Sequence, residues 1–156
     1  MFNAHQFTPP PTSSFNYLNL QNQQQLHQQI SQSNHLSYTT IAMNFCNFYY
    51  TNYDNNFASL TALFSDNAHI TFQGEEFLGF NNYITKLKQF SIVRFKHDTV
   101  NCVVQPITPD KIMISSHGYI HINNATNKHV YIETLVLQKD IFNNFSIVNN
   151  IVKILN

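Results

Sequence analysis

The chain has 156 residues, a length that allows one domain or one domain with a tail. Charged side chains make up only 10% of it, and eight basic residues cancel eight acidic ones, so no basic face for binding nucleic acid is expected. No apolar run approaches the roughly 18 residues of a membrane-spanning helix, which excludes that class as well.

The N-terminal segment lacks the basic and apolar stretches of a signal peptide. Only Cys46 and Cys102 are present, too few for a disulfide framework. We therefore expect an intracellular, reduced protein in which both thiols are buried and inert.

The first part of the chain differs in composition from the rest. Apart from histidine, no acidic or basic side chain occurs before Asp54, and polarity comes instead from amides, 22 Asn and 12 Gln in the whole chain. A Pro/Ser-rich stretch at 7–14 precedes a Gln-rich stretch at 21–32. Such segments bury too little apolar surface to offset chain entropy. Residues 1–36 are therefore predicted to be a disordered Asn/Gln/Pro-rich tail, and residues 37–156 a folded domain.

Helical periodicity begins after Tyr38. One apolar face, widened by a second set of residues, predicts a buried helix that is capped by Thr39 or Thr40 and ends at Asp54-Asn55-Asn56. The residues of this face are Ile41, Ala42, Phe45, Cys46, Phe48, Tyr49, Tyr50 and Tyr53. A short second helix is predicted over residues 57–64, where apolar residues again have helical spacing.

After this helix, apolar residues recur at every second position, which is typical of a strand. Alternation over residues 70–73, followed by Gly74 and a second short apolar stretch ending at Gly79, predicts a small hairpin. Helical spacing from Tyr83 to Phe90, behind a cap at Asn81 or Asn82, predicts a third helix.

The rest of the chain is predicted to be β. Alternating apolar residues indicate four long strands, over residues 93–104, 112–122, 130–137 and 145–155, with a bend at Pro106 and Pro109. Helices that precede a twisted sheet can bury their faces only on its concave side. The predicted class is α+β, with three helices packed on a strongly bent antiparallel sheet.

Cofactor and metal sites are not expected. Only three glycines are present, which excludes a P-loop and a dinucleotide-binding loop. His117 and His121 share a strand face, but four strand residues separate them by roughly 13 Å, too far for one ion. We therefore predict no metal and no cofactor.

An enzyme with the same curved sheet is one alternative. The sheet and helices can enclose an apolar cavity in which Glu133 or His117 would be the base. The more ordinary position for Glu133 is the solvated or interface face of its strand, so we predict no catalytic residues.

Several motifs resemble the nuclear transport factor 2 family. Residues 45–54, with an aromatic residue, then Tyr49-Tyr50 and finally Asp54, resemble the signature of its first helix. Residues 72–79 resemble its hairpin. His97 with the Gln-Pro-x-Thr-Pro-Asp stretch at 105–110, and the final strand at 148–153, match the pattern as well. The resemblance covers about residues 38–155 and implies the cone-shaped fold of that family.

The resemblance also implies where partners bind. Family members dimerise through the sheet, which agrees with strands that are apolar on both faces. Tyr38 falls where the family has a Trp that helps bind Phe-Gly repeats of nucleoporins. The positions of the family's Ran pocket are occupied by Phe72, Gln73, Phe90, Phe95, Asn123 and Asn124. Acids of the family fall on Gln73 and near Asn123-Asn124, which implies weaker pairing with lysines of Ran.

We therefore expect a non-enzymatic dimeric carrier in nucleocytoplasmic transport, present in the cytoplasm, the nucleus and the nuclear pore complex. It is expected to bind nucleoporin repeats and, more weakly than its family, Ran-GDP, but not nucleic acid directly and not membranes. Two alternatives stay open. The first is a small subunit that heterodimerises with an mRNA-export receptor, and the second is a cone-fold isomerase or dehydratase.

Overall fold

The computed structural model describes Gln25 and residues 37–155. The predicted disordered tail over 1–36 lies, apart from Gln25, outside the described residues. Among these residues no helix is both long enough and apolar enough to cross a membrane.

The first helix, α1, occupies residues 37–55. Its buried stripe consists of Ala42, Cys46, Tyr49, Tyr50 and Tyr53, spaced for one helix face. Two details of the prediction are wrong. Thr39 and Thr40 lie inside the helix rather than at its cap, and Phe48 is 57% exposed because it sits beside the buried stripe, not within it.

A 3-10 helix, Phe57–Leu63, takes the place of the predicted second helix. It ends one residue earlier than predicted, because Phe64 already begins strand β1, Phe64–Phe72. β1 and β2, Glu75–Leu78, form the predicted hairpin. Helix α2, Phe80–Gln89, follows directly, and Gly79, not Asn81 or Asn82, is its N-cap residue.

Four long strands complete the chain: β3, Phe95–Thr108, β4, Lys111–Ile122, β5, His129–Lys139, and β6, Phe145–Leu155. The predicted bend at Pro106 is only a register irregularity, because β3 continues through this proline to Thr108. Proline is tolerated there because β3 is an edge strand, where a missing N–H donor need not break a ladder.

The six strands form one curled, unclosed sheet in the order β2-β1-β6-β5-β4-β3. Four of its pairings are antiparallel, as predicted, but β1 and β6 pair in parallel. Short turns force neighbours along the chain to run antiparallel. β1 and β6 are instead joined through most of the domain, which leaves their relative direction free. The sheet is therefore mixed, and the α+β class is confirmed.

The core lies between the inward face of this sheet and the helices. On β4 and β5 alternate residues are buried, so that Ile112, Ile114, Leu135 and Leu137 face the helices. Rings from α1, the 3-10 helix and α2 fill the remaining space, for example Phe57 against Phe80 with ring centroids 5.2 Å apart. The opposite face of the sheet carries no helix among the described residues.

Candidate binding groove and cone interior

A groove with a volume of about 280 Å³ opens where the β1–β2 hairpin, the end of α2 and the ends of β4 and β6 meet. Its lining residues are Phe72, Gln73, Glu75, Phe90, Ile92, Ile122, His129 and Ile154. Phe72 forms the floor and is 4% exposed, whereas Phe90 is 51% exposed at the rim. The groove therefore offers an apolar, partly aromatic surface that can accept one apolar side chain of a partner.

The side chain of Gln73 is committed to the sheet. Its backbone has a φ of 54° at the hairpin turn. Its amide group donates to the carbonyl of Ile154 at 3.0 Å, and its amide oxygen accepts from the Ile154 N–H at 3.0 Å. A carboxylate could accept the second bond but could not donate the first. Gln73 thus closes the groove wall rather than presenting a group to a partner.

Charge at the rim is already neutralised within the chain. Glu75 forms an ion pair with Lys86 at 2.9 Å, and the Lys86 ammonium lies 4.9 Å from the centre of the Phe90 ring. These groups are partly exposed, so each contact is weak. A basic residue of a partner would have to compete with Lys86 for Glu75.

Asn123 holds the loop after α2 in place. Its side-chain oxygen accepts hydrogen bonds from the N–H groups of Val93 and Arg94 at 2.9 and 3.2 Å, and its amide donates to the carbonyl of Ser91 at 2.7 Å. Both Asn123 and Asn124 have positive φ angles in the turn after β4. Asn123 therefore fixes the position of the segment that carries Ile92, a residue of the groove lining, without lining the groove itself.

Of the six predicted pocket residues, the structure brings Phe72, Gln73 and Phe90 together in the groove. Phe95 lies elsewhere: it is 2% exposed and packs against Tyr53, with centroids 5.4 Å apart. Sequence reasoning missed Ile92, Ile122, His129 and Ile154. Their only signal is a position at or near a strand end, because the groove forms only when distant segments meet.

Tyr38, the predicted nucleoporin contact, lies far along the chain from the groove residues. It is half-buried against the core at the start of α1. Its hydroxyl donates to the carbonyl of Pro109 in the turn between β3 and β4, at 3.4 Å. Tyr38 thus joins α1 to this turn while leaving part of its ring accessible.

The interior of the cone contains a buried carboxylate. Glu133 is 1% exposed, so its predicted position on a solvated or interface face is wrong. It accepts hydrogen bonds from the hydroxyls of Tyr49 and Tyr50 at 2.8 and 2.7 Å, and from the amide of Asn150 at 2.7 Å. Burial, and next the Glu133 charge, raise the pKa of both tyrosines, which keeps them protonated as donors.

A second polar pair joins the end of α1 to β3. Asp54 accepts from the backbone N–H of His97 at 3.0 Å and is 2.7 Å from its Nδ1. Burial opposes ionisation of Asp54, but these hydrogen bonds and the nearby positive charge outweigh it and lower the pKa of the carboxyl. The His97 ring meets Tyr50 and Tyr131 edge-on, at 4.8 and 4.9 Å between centroids.

The two candidate catalytic bases lie in different surroundings. Aromatic rings fill the space around Glu133, and this residue lines none of the four grooves described over residues 37–155. His117, the other predicted base, is exposed on the opposite face of the sheet. Within the described part of the chain, no three His, Cys, Asp or Glu side chains are placed to hold a metal ion.

Comparison with known proteins adds a family relationship. The model of the nuclear transport factor 2 (NTF2) domain matches residues 41–154. A curated relative, nuclear transport factor 2 of Neurospora crassa, is 27% identical over 119 residues, which cover 76% of this chain and 96% of the relative.

Solved structures share the fold at lower identity. Ntf2 from Cryptosporidium parvum is 21% identical with a TM-score of 0.62, over 75% of this chain and 94% of the other. A putative scytalone dehydratase from Novosphingobium aromaticivorans is 11% identical with a TM-score of 0.63, over 80% and 89% of the two chains. The Candida albicans Mtr2–Mex67 M domain complex matches at 13% identity and a TM-score of 0.58, over 76% and 94%. The fold thus occurs in transport proteins and in enzymes.

Proposed function

The chain belongs to the nuclear transport factor 2 domain family, and on this premise we propose that it is a non-enzymatic carrier in nucleocytoplasmic transport. It would act in the cytoplasm and nucleus and at the nuclear pore complex. The proposal is supported by relatives that bear the name nuclear transport factor 2 and align over nearly their whole length. The observation that carries it is the groove, since a carrier needs a built surface for its cargo.

We propose Ran-GDP as the cargo of this groove. The apolar walls suit an inserted aromatic or aliphatic side chain of the partner, and Glu75 is the acidic residue that lines the groove. Because Lys86 already pairs with Glu75 and the Gln73 amide is bonded to Ile154, few groups remain to attract basic residues. The affinity for Ran-GDP would therefore depend mainly on the apolar contact. It would be weaker than the affinity of a groove lined by unpaired carboxylates.

Nucleoporin Phe-Gly repeats are the second proposed ligand, with Tyr38 as their contact. The accessible part of its ring lies on α1, in a stretch from residue 37 to residue 53 that contains no acidic or basic side chain. Replacement of Tyr38 by alanine should then abolish capture of the protein on immobilised repeats while the melting temperature falls by only a few degrees. A large fall in melting temperature would limit Tyr38 to its structural bond with Pro109.

We propose that the carrier is a homodimer joined through the outer face of the sheet. Six apolar side chains on this face are between 40% and 64% exposed. They are Val103, Tyr119, Val130, Ile132, Ile151 and Leu155. Tyr119, Val130 and Leu155 are register partners across β4, β5 and β6, so they form one apolar row on this face. Contiguous apolar patches of this kind mark interfaces.

Heterodimerisation with an mRNA-export receptor is the second candidate. It is favoured by the same outer face, which suits a different partner equally well, and by the fold shared with the Mtr2–Mex67 complex. The internal bonds of Gln73 and Asn123 weaken the case for Ran in the same way.

Affinity capture from cell extract separates these candidates. Tagged wild type should retain Ran from an extract supplied with GDP, and Phe90→Ala should lose it. Phe48→Ala is the matched control, since Phe48 is exposed to a similar extent but lies on α1, outside the groove. Capture of an export receptor without Ran by all three proteins would support the heterodimer instead.

A further inference from the structure

A second groove lies between the 3-10 helix, α2 and the segment that leads into β3. Its volume is about 340 Å³, larger than that of the groove between Phe72 and Phe90. Leu87 and Phe95, each 2% exposed, form its floor. Phe57 forms one wall, with its ring centroid 5.9 Å from that of Phe95. The second groove can therefore accept a bulky apolar side chain, and the proposed carrier function does not use it.

Hydrogen bonds hold the rim of the second groove in position on the β3 side. The N–H groups of Val93 and Arg94 donate to the side-chain oxygen of Asn123 at 2.9 and 3.2 Å. The N–H of Ile92 donates to the carbonyl of Leu87 at 3.0 Å, which ties the same segment to the end of α2. Val93 is nevertheless 79% exposed, so this rim presents an apolar side chain to solvent. A rim that is already ordered lowers the entropic cost of binding a partner.

Two positive charges lie at the rim of the second groove. Lys88 lines it from α2, and Arg94 lines an adjoining opening that shares Phe57 and Val93 with it. Over residues 37–155 neither of these two cations forms an ion pair. A rim that carries unpaired cations attracts carboxylates.

Asp54 does not neutralise these two charges. It is the one acid among the described residues that line the two openings, and its carboxylate is already engaged. It accepts a hydrogen bond from the N–H of His97 at 3.0 Å and lies 3.5 Å from the Lys96 ammonium. Lys96 therefore offsets the charge of Asp54, and the charges of Lys88 and Arg94 remain available to a partner.

The groove between Phe72 and Phe90 has a different charge pattern. There Glu75 pairs with Lys86 at 2.9 Å, so these two charges cancel. The second groove combines an apolar cavity with uncompensated positive charge, so the two grooves suit different ligands. Two cations are too few for nucleic acid, which requires a row of phosphate contacts. The chemistry instead favours a segment that offers one bulky apolar side chain together with carboxylates.

We propose that the second groove binds an acidic linear segment of a partner protein, in which one aromatic or large aliphatic side chain is flanked by Asp or Glu. The apolar side chain occupies the space between Phe57, Leu87 and Phe95. The flanking carboxylates pair with Lys88 and Arg94, and the planar guanidinium of Arg94 can donate two parallel hydrogen bonds to one carboxylate. The apolar contact supplies affinity, and the charges select acidic over basic segments.

The test is a titration of a fluorescently labelled synthetic peptide, with one Phe between two pairs of Asp in a Gly/Ser chain, by the full-length protein. Fluorescence anisotropy should show saturable binding that weakens as salt is added, because exposed charges are screened. A peptide with Ala in place of Phe, and a peptide with Lys in place of Asp, should each bind about tenfold more weakly or worse. Equal binding of all three peptides would overturn the proposal.

Charge-reversal variants locate the peptide. Lys88→Glu combined with Arg94→Glu should weaken binding by about tenfold or more. Lys111→Glu combined with Lys139→Glu is the matched control, since it changes the net charge equally but lies at the ends of β4 and β5, outside both openings. Phe90→Ala, which alters the other groove, should bind the peptide as wild type does.

Circular dichroism establishes that each variant is folded. Lys88→Gln combined with Arg94→Gln removes the two charges without reversing them, and it should also weaken binding several-fold. No saturable binding by wild type, an equal loss in the matched control, or loss of binding in Phe90→Ala would overturn the proposal. The last result would place the peptide in the groove between Phe72 and Phe90 instead.

Discussion

At the scale of single residues, Glu133 is stabilised by neutral donors rather than by a cation. Two tyrosine hydroxyls and one amide surround its carboxylate, and within the described chain no Lys or Arg forms an ion pair with it. Hydrogen bonds to an ionised group are stronger than neutral ones, which offsets part of the cost of burial. The network also fixes α1 against β5 and β6, the two central elements of the cone.

Removal of this carboxylate should therefore destabilise the fold. Glu133→Ala leaves three buried donors without an acceptor, and we expect a loss of about 3–5 kcal/mol in the free energy of unfolding. Glu133→Gln keeps the shape and one acceptor oxygen, so its loss should be smaller, about 1–2 kcal/mol. Urea unfolding followed by circular dichroism measures both values. Equal stability of Glu133→Ala and wild type would contradict the role of the network.

Asp54 should make stability depend on pH. Its pKa in the folded protein is lowered below the ordinary value of 3.8, so its contribution is present above that value and is lost as the pH falls through the folded pKa. We expect unfolding free energy to decrease below about pH 4, and Asp54→Asn to lower it by about 1.5–3 kcal/mol at pH 7. The variant should also show a shallower acid limb in a pH series of denaturant melts. An unchanged acid limb would assign the effect to other carboxyls.

Two residue-scale features show which contacts can be predicted from the sequence and which cannot. The buried state of Glu133 could not be predicted, because charged residues are rarely buried and its tyrosine partners lie 83 and 84 positions away in the chain. Asp54 and His97, by contrast, both belong to motifs that the sequence displays, and the structure joins them directly.

At the scale of elements, hydrophobic periodicity located both α-helices and all four long strands, because each buries a regular face. Periodicity did not predict the residues at which one element ends and the next begins. Phe64 fits a helical spacing with the residues before it, yet its partner across the sheet, Ile147, fixes it as the start of β1. Asn81 and Asn82 resemble caps, but the chain reverses so tightly after β2 that only glycine fits the N-cap position of α2.

This junction gives a prediction about glycine. Gly79 has a φ of 79°, and a Cβ atom there would lie 3.0 Å from the backbone oxygen of Asp66. Gly74 has a similar φ of 90° but open space around it. Gly74→Ala should therefore cost only the backbone strain, about 1 kcal/mol, and Gly79→Ala should cost more. Thermal melts of the two variants test this order, and the reverse order would contradict the steric argument.

At the scale of the whole molecule, the mixed sheet places the ends of β1, β4 and β6 around one groove. The pairing of β1 with β6 was not predictable from local pattern, because nothing in a strand's alternation specifies a distant partner or its direction. For the same reason, no local pattern predicts that Ile122 and Ile154 line the same groove. The resemblance to a known family identified Phe72 and Phe90 because it carries three-dimensional information that periodicity lacks.

The outer face of the sheet leads to a prediction about assembly. Wild type should sediment at micromolar concentration as a species of twice the 18.1 kDa chain mass. Ile132→Glu introduces a charge within the apolar patch and should shift the protein towards monomer. Val93→Glu is the matched control, because Val93 is 79% exposed and lies outside the patch. A wild-type protein that remains monomeric would contradict the homodimer and leave the heterodimer as the candidate assembly.

The groove is the central claim, and calorimetric titration with purified Ran-GDP tests it most directly. The account predicts measurable binding by wild type and by Phe48→Ala, and binding weaker by about tenfold or more for Phe90→Ala, since truncation of an aromatic anchor costs more than 1 kcal/mol. All three proteins must first show the same melting temperature within a few degrees. No binding by any of them, or equal affinity for all three, would contradict a cargo site formed by this groove.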